Sequence, residues 1–418
     1  MAAVPAVPAP APRGGGHGAA VLAAFLGWTL DAFDFFLVVF ALTAIARDFG
    51  TTDAAIALTI TVTLAFRPVG ALIFGLLADR YGRRLPLMLD LAFYSVIEVL
   101  SGLAPDYKTF LVLRALFGIG MGGEWGVGAS LAMEKAPPRL RGVLSGLLQE
   151  GYAVGFLLAA ACFFVVYPRF GWRPMFFIGG LPAVLALFVR FRVKESEVWQ
   201  RTRHGSWRDL GRAIASNWRL FLYITVLMAG MNFASHGTQD MYPTFLEREW
   251  GFGPRSRAAL TAFSMVGAIA GGILFGLGSD RLGRRRAIVL ALGLAVLVIP
   301  LWAFAPSLPM LVAGAFLMQF MVQGAWGVIP AHITELSPDP VRGFLPGFAY
   351  QCGVLLASSV VYVEALFAAR ISYAWSMALT ALTVFAFAAM VAALGREKRG
   401  AAFGQRETGR KGEGEKGT

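Results

Sequence analysis

Gly75-Leu76-Leu77-Ala78-Asp79-Arg80-Tyr81-Gly82-Arg83-Arg84 returns 201 positions later as Gly276-Leu277-Gly278-Ser279-Asp280-Arg281-Leu282-Gly283-Arg284-Arg285. The same shift carries Trp125-Gly126-Val127 onto Trp326-Gly327-Val328. It also carries Glu134, Pro137, Arg141 and Gly142 onto Glu335, Pro338, Arg342 and Gly343. Three coincidences at one offset mean an internal duplication, and a duplicated unit predicts two structurally equivalent halves.

The rest of the chain says what each half is made of. Of the 418 residues 57% are hydrophobic and only 15% charged, with a mean hydropathy of +0.64. Repeated apolar runs of about twenty residues predict membrane helices. Twelve spans are read near 20–46, 55–78, 85–104, 109–132, 142–166, 172–191, 219–246, 256–278, 286–305, 309–333, 344–368 and 372–394. Six spans per half is an even number, so the halves are parallel in topology. The expected fold is all-α: residues 20–191 and 219–394 form two six-helix bundles. A linker at 192–218 joins them, and disordered tails occupy 1–19 and 395–418. Trp207, Leu210, Ile214 and Trp218 recur at helical spacing among arginines in the linker, which predicts a basic amphipathic helix on the membrane surface.

A net charge of +12 would suit nucleic acid if it formed one stripe, but it does not. Arg80, Arg83, Arg84, Lys135, Arg139, Arg141, Arg281 and Arg284 to Arg286 lie in alternate short loops, on the same side as the basic tail. This bias places both termini in the cytoplasm of a cell-membrane protein. Cys162 and Cys352 both sit in apolar runs and read as small buried hydrophobes. No metal spacing, phosphate loop or Ser/His/Asp set emerges, so neither a cofactor nor an enzyme activity is expected.

Polar residues at membrane depth are costly and so point to function. In the seventh span Asn232, Ser235, His236, Gln239 and Asp240 fall within an arc of roughly 140° at about 100° per residue. His236 and Asp240 are i, i+4, close enough for the carboxylate to accept from the imidazole, a pair suited to switching near neutral pH. The offset pairs Asp31 with Asn232 and Asp34 with Ser235, so the first and seventh spans are expected to face one cavity. Asp31 and Asp34 are i, i+3, and two carboxylates so close resist ionising together, which suits proton coupling. Arg67, mid-span and unable to shed its charge, needs an anion: Asp31, Asp34, or a substrate carboxylate. Arg114 heads a glycine run and is expected to pair with Glu150 or Glu124, as a structural contact or a relay. Glu98, Glu364 and His332 are left without a role. Asp79, Arg83, Asp280 and Arg284 in the loops, with the pairs Glu134–Arg141 and Glu335–Arg342, are expected to latch the halves in one state and release them in another.

The repeated G-x-x-x-D-R-x-G-R-R loop with its E-x-x-P-x-x-x-R-G segment resembles the major facilitator superfamily over residues 20–394. That resemblance implies a central substrate cavity and rocker-switch alternating access. Asn232, Ser235, His236, Thr238, Gln239, Asp240 and Thr244 match the signature of lactate/pyruvate:proton symporters, the Jen-type monocarboxylate permeases. The opening Trp28-Thr29-Leu30-Asp31-Ala32-Phe33-Asp34 is similar to theirs and to the related sialate:proton symporters. By resemblance, Arg67 and the seventh-span motif govern substrate recognition and proton coupling. The expectation is a proton-coupled importer of a small organic acid of the lactate or pyruvate type in a lipid bilayer, with no nucleic-acid partner and an oligomeric state that the sequence leaves open, a monomer being compatible with it. The alternatives are a symporter for sialate or an aromatic acid, and a carboxylate sensor that does not transport.

Overall fold

The computed structural model of the chain describes residues 17–202, 206–368 and 370–404. Among these, ten helices are long and apolar enough to cross a membrane: His17–Asp48, Asp53–Tyr81, Arg84–Gly102, Tyr107–Lys135, Arg141–Phe170, Trp218–Arg248, Arg255–Leu282, Arg284–Ala303, Leu308–Leu336 and Tyr373–Leu394. Two shorter apolar segments, Arg173–Val189 and Leu345–Ala357, take the sixth and eleventh places. The result is twelve spans in two equivalent six-helix bundles. The sixth span is interrupted between Ile178 and Pro182, the eleventh between Ala357 and Val360, and the seventh between Gln239 and Tyr242. These breaks explain why the short segments fall below bilayer length.

Local chemistry sets the ends. Thr52, Asp106 and Ser372 cap the second, fourth and twelfth spans, accepting from the N–H groups of Ala55, Thr109 and Trp375. The Thr109 N–H holds the exposed Asp106 carboxyl below the usual carboxylate range. Gly82 and Gly283, equivalent in the repeat, close the second and eighth spans with φ of 105° and 94°, a conformation that side chains with a Cβ resist.

Glycine also sets how closely the helices pack. Gly118 and Gly122 lie against the backbone carbonyls of Thr63 and Arg67, leaving no room for a Cβ. Gly70 against Ile119 is matched in the other half by Gly271 against Phe320, so the small-residue seam is duplicated with the fold. The halves themselves touch where Gly126 faces Gly347 and where Gly142 faces Gly276.

The linker contributes helices Glu197–Thr202 and Trp207–Ser216. In the second, Leu210 is buried while Trp207 is half exposed. Glu195 accepts from the N–H groups of Arg83 and Arg84 at the start of the third span. Glu397 does the same for Arg285 at the start of the ninth. Both carboxylates sit where a helix N-terminus favours negative charge.

The tail is ordered further than its composition predicts. Arg141 donates to the Ala401 carbonyl at 2.6 Å and the Gly400 N–H to Glu335 at 3.1 Å. The Phe403 ring centroid lies 3.6 Å from the Arg141 guanidinium carbon and 3.8 Å from that of Arg342. A polar, basic average over residues 395–418 hides the one aromatic that stacks on two cations. Of the expected tails, residues 1–16 and 405–418 lie outside the described residues, while residues 17–19 belong to the first helix.

Candidate functional site

A cavity of about 760 Å³ lies between the halves, on the side away from the repeated basic loops. Below it is a small inner chamber of about 40 Å³ lined by Trp28, Arg67, Gln149, Tyr152, Asn232, Ser235, His236, Gln323, Trp326 and Tyr350. Phe35, Leu64, Tyr152, His236 and Val354 belong to both spaces.

The inner chamber is built around Arg67, which is only 5% exposed. Its Nε and Nη2 have no hydrogen-bond partner, and its guanidinium carbon stands 5.7 Å from the Tyr350 ring centroid. Pro68 follows it and supplies no N–H to the Leu64 carbonyl four residues earlier. No ion pair joins Arg67 to Asp31 or Asp34, so the permanent clasp considered from the sequence is not formed. Arg67 presents a buried cation with open donors to a space the size of a carboxyl group.

Across the chamber, the seventh-span face is partly spoken for. Asn232 donates to the Met228 carbonyl at 2.7 Å and keeps its side-chain oxygen. His236 Nδ1 and Asp240 Oδ2 are 3.0 Å apart, the i, i+4 pair the spacing predicted. Gln239 donates to Gln319 at 2.8 Å, and Ser235 accepts from Gln323 at 3.4 Å. The span breaks at Asp240, so the acid sits at a helix end at the cavity wall. Arg67, Asn232, Ser235 and His236 meet at the inner chamber, and Gln239 and Asp240 line the outer one.

Asp31 and Asp34 are both fully buried yet line neither space. Asp31 lies within electrostatic reach of Arg67, Glu98, Glu124 and Asp90. Asp34 packs toward Gly179 and Glu98. The first span does line the cavity, but with Trp28, Phe35 and Phe36. Helical spacing put the two acids on one face; it could not say that this face turns into the N-terminal bundle.

Arg114 does not pair with Glu150 or Glu124. It forms an ion pair with Glu98, donates to Ser101 at 2.6 Å and lies 4.4 Å from the Phe117 ring centroid. Glu98 and Ser101 come from the third span, which packs on the fourth. Glu150 instead stands at the break in the fifth span and faces Gly272 of the eighth, and Glu124 faces Gly27 of the first. Glu364 and His332 are buried, and neither the Glu364 carboxylate nor the His332 ring has a hydrogen-bond partner.

The latch residues pair in a different pattern from the one expected. Glu134 bonds Arg83 at 3.0 Å and approaches Arg342 of the other half at 3.7 Å. Glu335 bonds Arg284 at 3.0 Å and approaches Arg141 at 3.7 Å. Each glutamate therefore bonds an arginine of its own half, Arg83 or Arg284, and reaches across to Arg342 or Arg141 of the other half; the expected pairs Glu134–Arg141 and Glu335–Arg342 do not form. Asp79, 2.6 Å from Arg83, accepts from the N–H groups of Gly343 and Phe344 at 2.7 and 2.9 Å. Asp280, 2.8 Å from Arg284, accepts from Gly142 and Val143 at 3.0 and 3.3 Å. Each acid reaches a helix start of the opposite bundle, where free N–H groups point outward. For buried Arg83, burial disfavours the cation, but Glu134 and Asp79 outweigh it and raise its pKa.

Sequence reasoning missed the aromatic floor. Trp125 and Trp326 flank Tyr350 at 4.6 and 5.7 Å between ring centroids, and Trp28 stands 6.4 Å from it. Applying the 201-residue shift to Gln149 leads to Tyr350, a signal that was available. The shift also exposes an asymmetry. Asp31, Asp34, Arg67, Asp90, Glu98, Arg114 and Glu124 correspond to Asn232, Ser235, Ala268, Ala291, Ile299, Ala315 and Ala325. At these seven positions the N-terminal half keeps a buried charge that its copy lacks.

Comparison with known proteins agrees with this architecture. Residues 19–209 match the family described as sugar (and other) transporter, and residues 233–414 match the Major Facilitator Superfamily. A probable 4-methylmuconolactone transporter of Cupriavidus pinatubonensis is 32% identical over 91% of both chains. The sialic acid transporter NanX of Escherichia coli is 30% identical over 80% of this chain and 83% of its own. A carboxylic acid transporter protein homolog of Saccharomyces cerevisiae is 28% identical over 90% of this chain and 67% of its own. In fold, the proton:xylose symporter XylE superposes with a TM-score of 0.75 at 18% identity, over 93% of this chain and 98% of that one. The chain belongs to the major facilitator superfamily of membrane transporters.

Proposed function

We propose that this protein is a proton-coupled symporter that carries a small monocarboxylate with a lactate- or pyruvate-type head group across the cytoplasmic membrane, with both termini in the cytoplasm. The observation that carries the reading is Arg67: a buried, permanent cation with unpartnered Nε and Nη2 beside the Asn232–His236 face. A carboxylate fits that fork in bidentate geometry. The names of the relatives, for muconolactone, sialic and carboxylic acids, support an organic-acid substrate.

In this reading the substrate enters through the outer cavity while the crossed clasps hold the opposite rim shut. Its carboxylate binds Arg67, with Asn232, Ser235 and Gln239 accepting or donating to the head group. Protons reach His236 and Asp240 at the cavity wall, and Asp31 and Asp34 behind Arg67. Neutralising these acids changes the charge that Arg67 meets, loosens Asp79, Arg83, Glu134, Arg141, Asp280, Arg284, Glu335 and Arg342, and the cavity reopens on the cytoplasmic side. Proteoliposomes loaded with purified protein test it: labelled lactate should accumulate faster under an inward proton gradient. Uptake that ignores the gradient would discard the coupling.

A further inference from the structure

The two spaces differ too much in size and chemistry to be one site for a molecule as small as lactate. The inner chamber, about 40 Å³, has room for roughly two or three waters' worth of volume, which is the bulk of a carboxyl with a neighbouring hydroxyl or oxo group. The outer cavity is about 760 Å³, within the range of sites that enclose far larger ligands. Its inner wall is a cluster of rings: Phe36 lies 4.9 Å from Phe156 and 5.3 Å from Tyr152, and Phe40 lies 5.4 Å from Phe156, between centroids.

Charge is divided just as sharply. Arg257, which lines the outer cavity, is already paired with Glu247. Apart from the Tyr152 phenol, the other ionisable side chains there are Asp240 and His236, which are paired with each other. A second carboxylate placed in the outer cavity would meet the Asp240 charge. The open cation is Arg67, in the inner chamber.

We infer that the carried molecule is bipartite: a 2-hydroxy or 2-oxo monocarboxylate whose third carbon bears an aryl or similarly bulky apolar group. The head occupies the inner chamber at Arg67 and the ring lies against Phe36, Phe40 and Phe156. This inference rests on the carboxylate-transport reading and adds the body of the substrate to it. Burying a ring against these walls should tighten binding by about tenfold or more over the same head group alone.

Quenching of the tryptophan fluorescence of the full-length purified protein reads binding directly, because Trp28 and Trp326 line the inner chamber. The probes are lactate, 3-phenyllactate, 3-phenylpropanol and phenylsuccinate. 3-Phenyllactate is expected to bind at least about tenfold tighter than lactate, with phenylpropanol and the dicarboxylate far weaker. The Phe156→Ala variant should shrink the phenyllactate-to-lactate ratio several-fold. Equal affinity for lactate and phenyllactate would overturn the inference while leaving carboxylate transport standing, the outer cavity then being only an entrance. Binding of phenylpropanol as tight as phenyllactate, or of no carboxylate at all, would overturn both.

Discussion

Replacing Arg67 removes the one buried arginine or lysine that lines the central chamber among the described residues. Two of its nitrogens, Nε and Nη2, are unpartnered, and a hydrogen bond to a charged partner contributes about 1.5–3 kcal/mol. Losing a two-bond grip should therefore cost about 3–6 kcal/mol of substrate binding, or roughly 150- to 25,000-fold in affinity. The Arg67→Ala protein also removes the cation that acts electrostatically on Asp31. Arg67→Lys restores the charge but not the planar fork, so part of the loss should remain. Counterflow into proteoliposomes at varied substrate concentration measures it, with both variants first checked for monodispersity. An Arg67→Ala protein whose half-saturating concentration stays within about threefold of wild type would refute the carboxylate-grip reasoning.

The crossed clasps make a second prediction. Glu134→Gln with Glu335→Gln removes the carboxylates that reach Arg342 and Arg141 across the halves. Spin labels on the exposed Arg139→Cys and Arg281→Cys should then report a longer or broader distance, and an unchanged distribution would count against a latch. Gly126→Val should open the same rim, because a Cβ there meets Gly347 at 2.6 Å; wild-type distances would show that the seam yields. Arg114→Leu strands the buried Glu98 and should destabilise the protein by about 3–5 kcal/mol. Adding Glu98→Leu should recover most of that in thermal unfolding, and equal losses in the single and double variants would argue against the pair.

Much of the fold was legible because its signals are local or periodic. The repeat at one offset, the apolar runs and the alternating basic loops need no knowledge of partners. The seventh-span polar face was also legible, since i, i+4 spacing alone brings His236 to Asp240. Which way a helix face turns is another matter. Asp31 and Asp34 share a face, yet they turn away from the cavity and the neighbouring Trp28 and Phe36 line it. The same limit explains Arg114, whose partner depended on the third span packing beside the fourth. It also explains Glu134 and Glu335, whose nearest arginine in sequence is not the one they meet in space. The ordering of Phe403 depended on two guanidinium groups brought together from opposite halves.

By itself the sequence determined two duplicated membrane bundles, a charged loop repeated at their rim, and a short list of polar groups too costly to bury without purpose. Those follow from hydropathy, periodicity and the expense of charge in lipid, properties each segment carries alone. Tertiary structure decided that Arg67 makes no ion pair with Asp31 or Asp34, that the clasps reach across the halves, and that a small polar chamber opens into a wide aromatic one. Those are relations between helices distant in the chain, set by glycine seams and side-chain volumes, and no single segment holds that information.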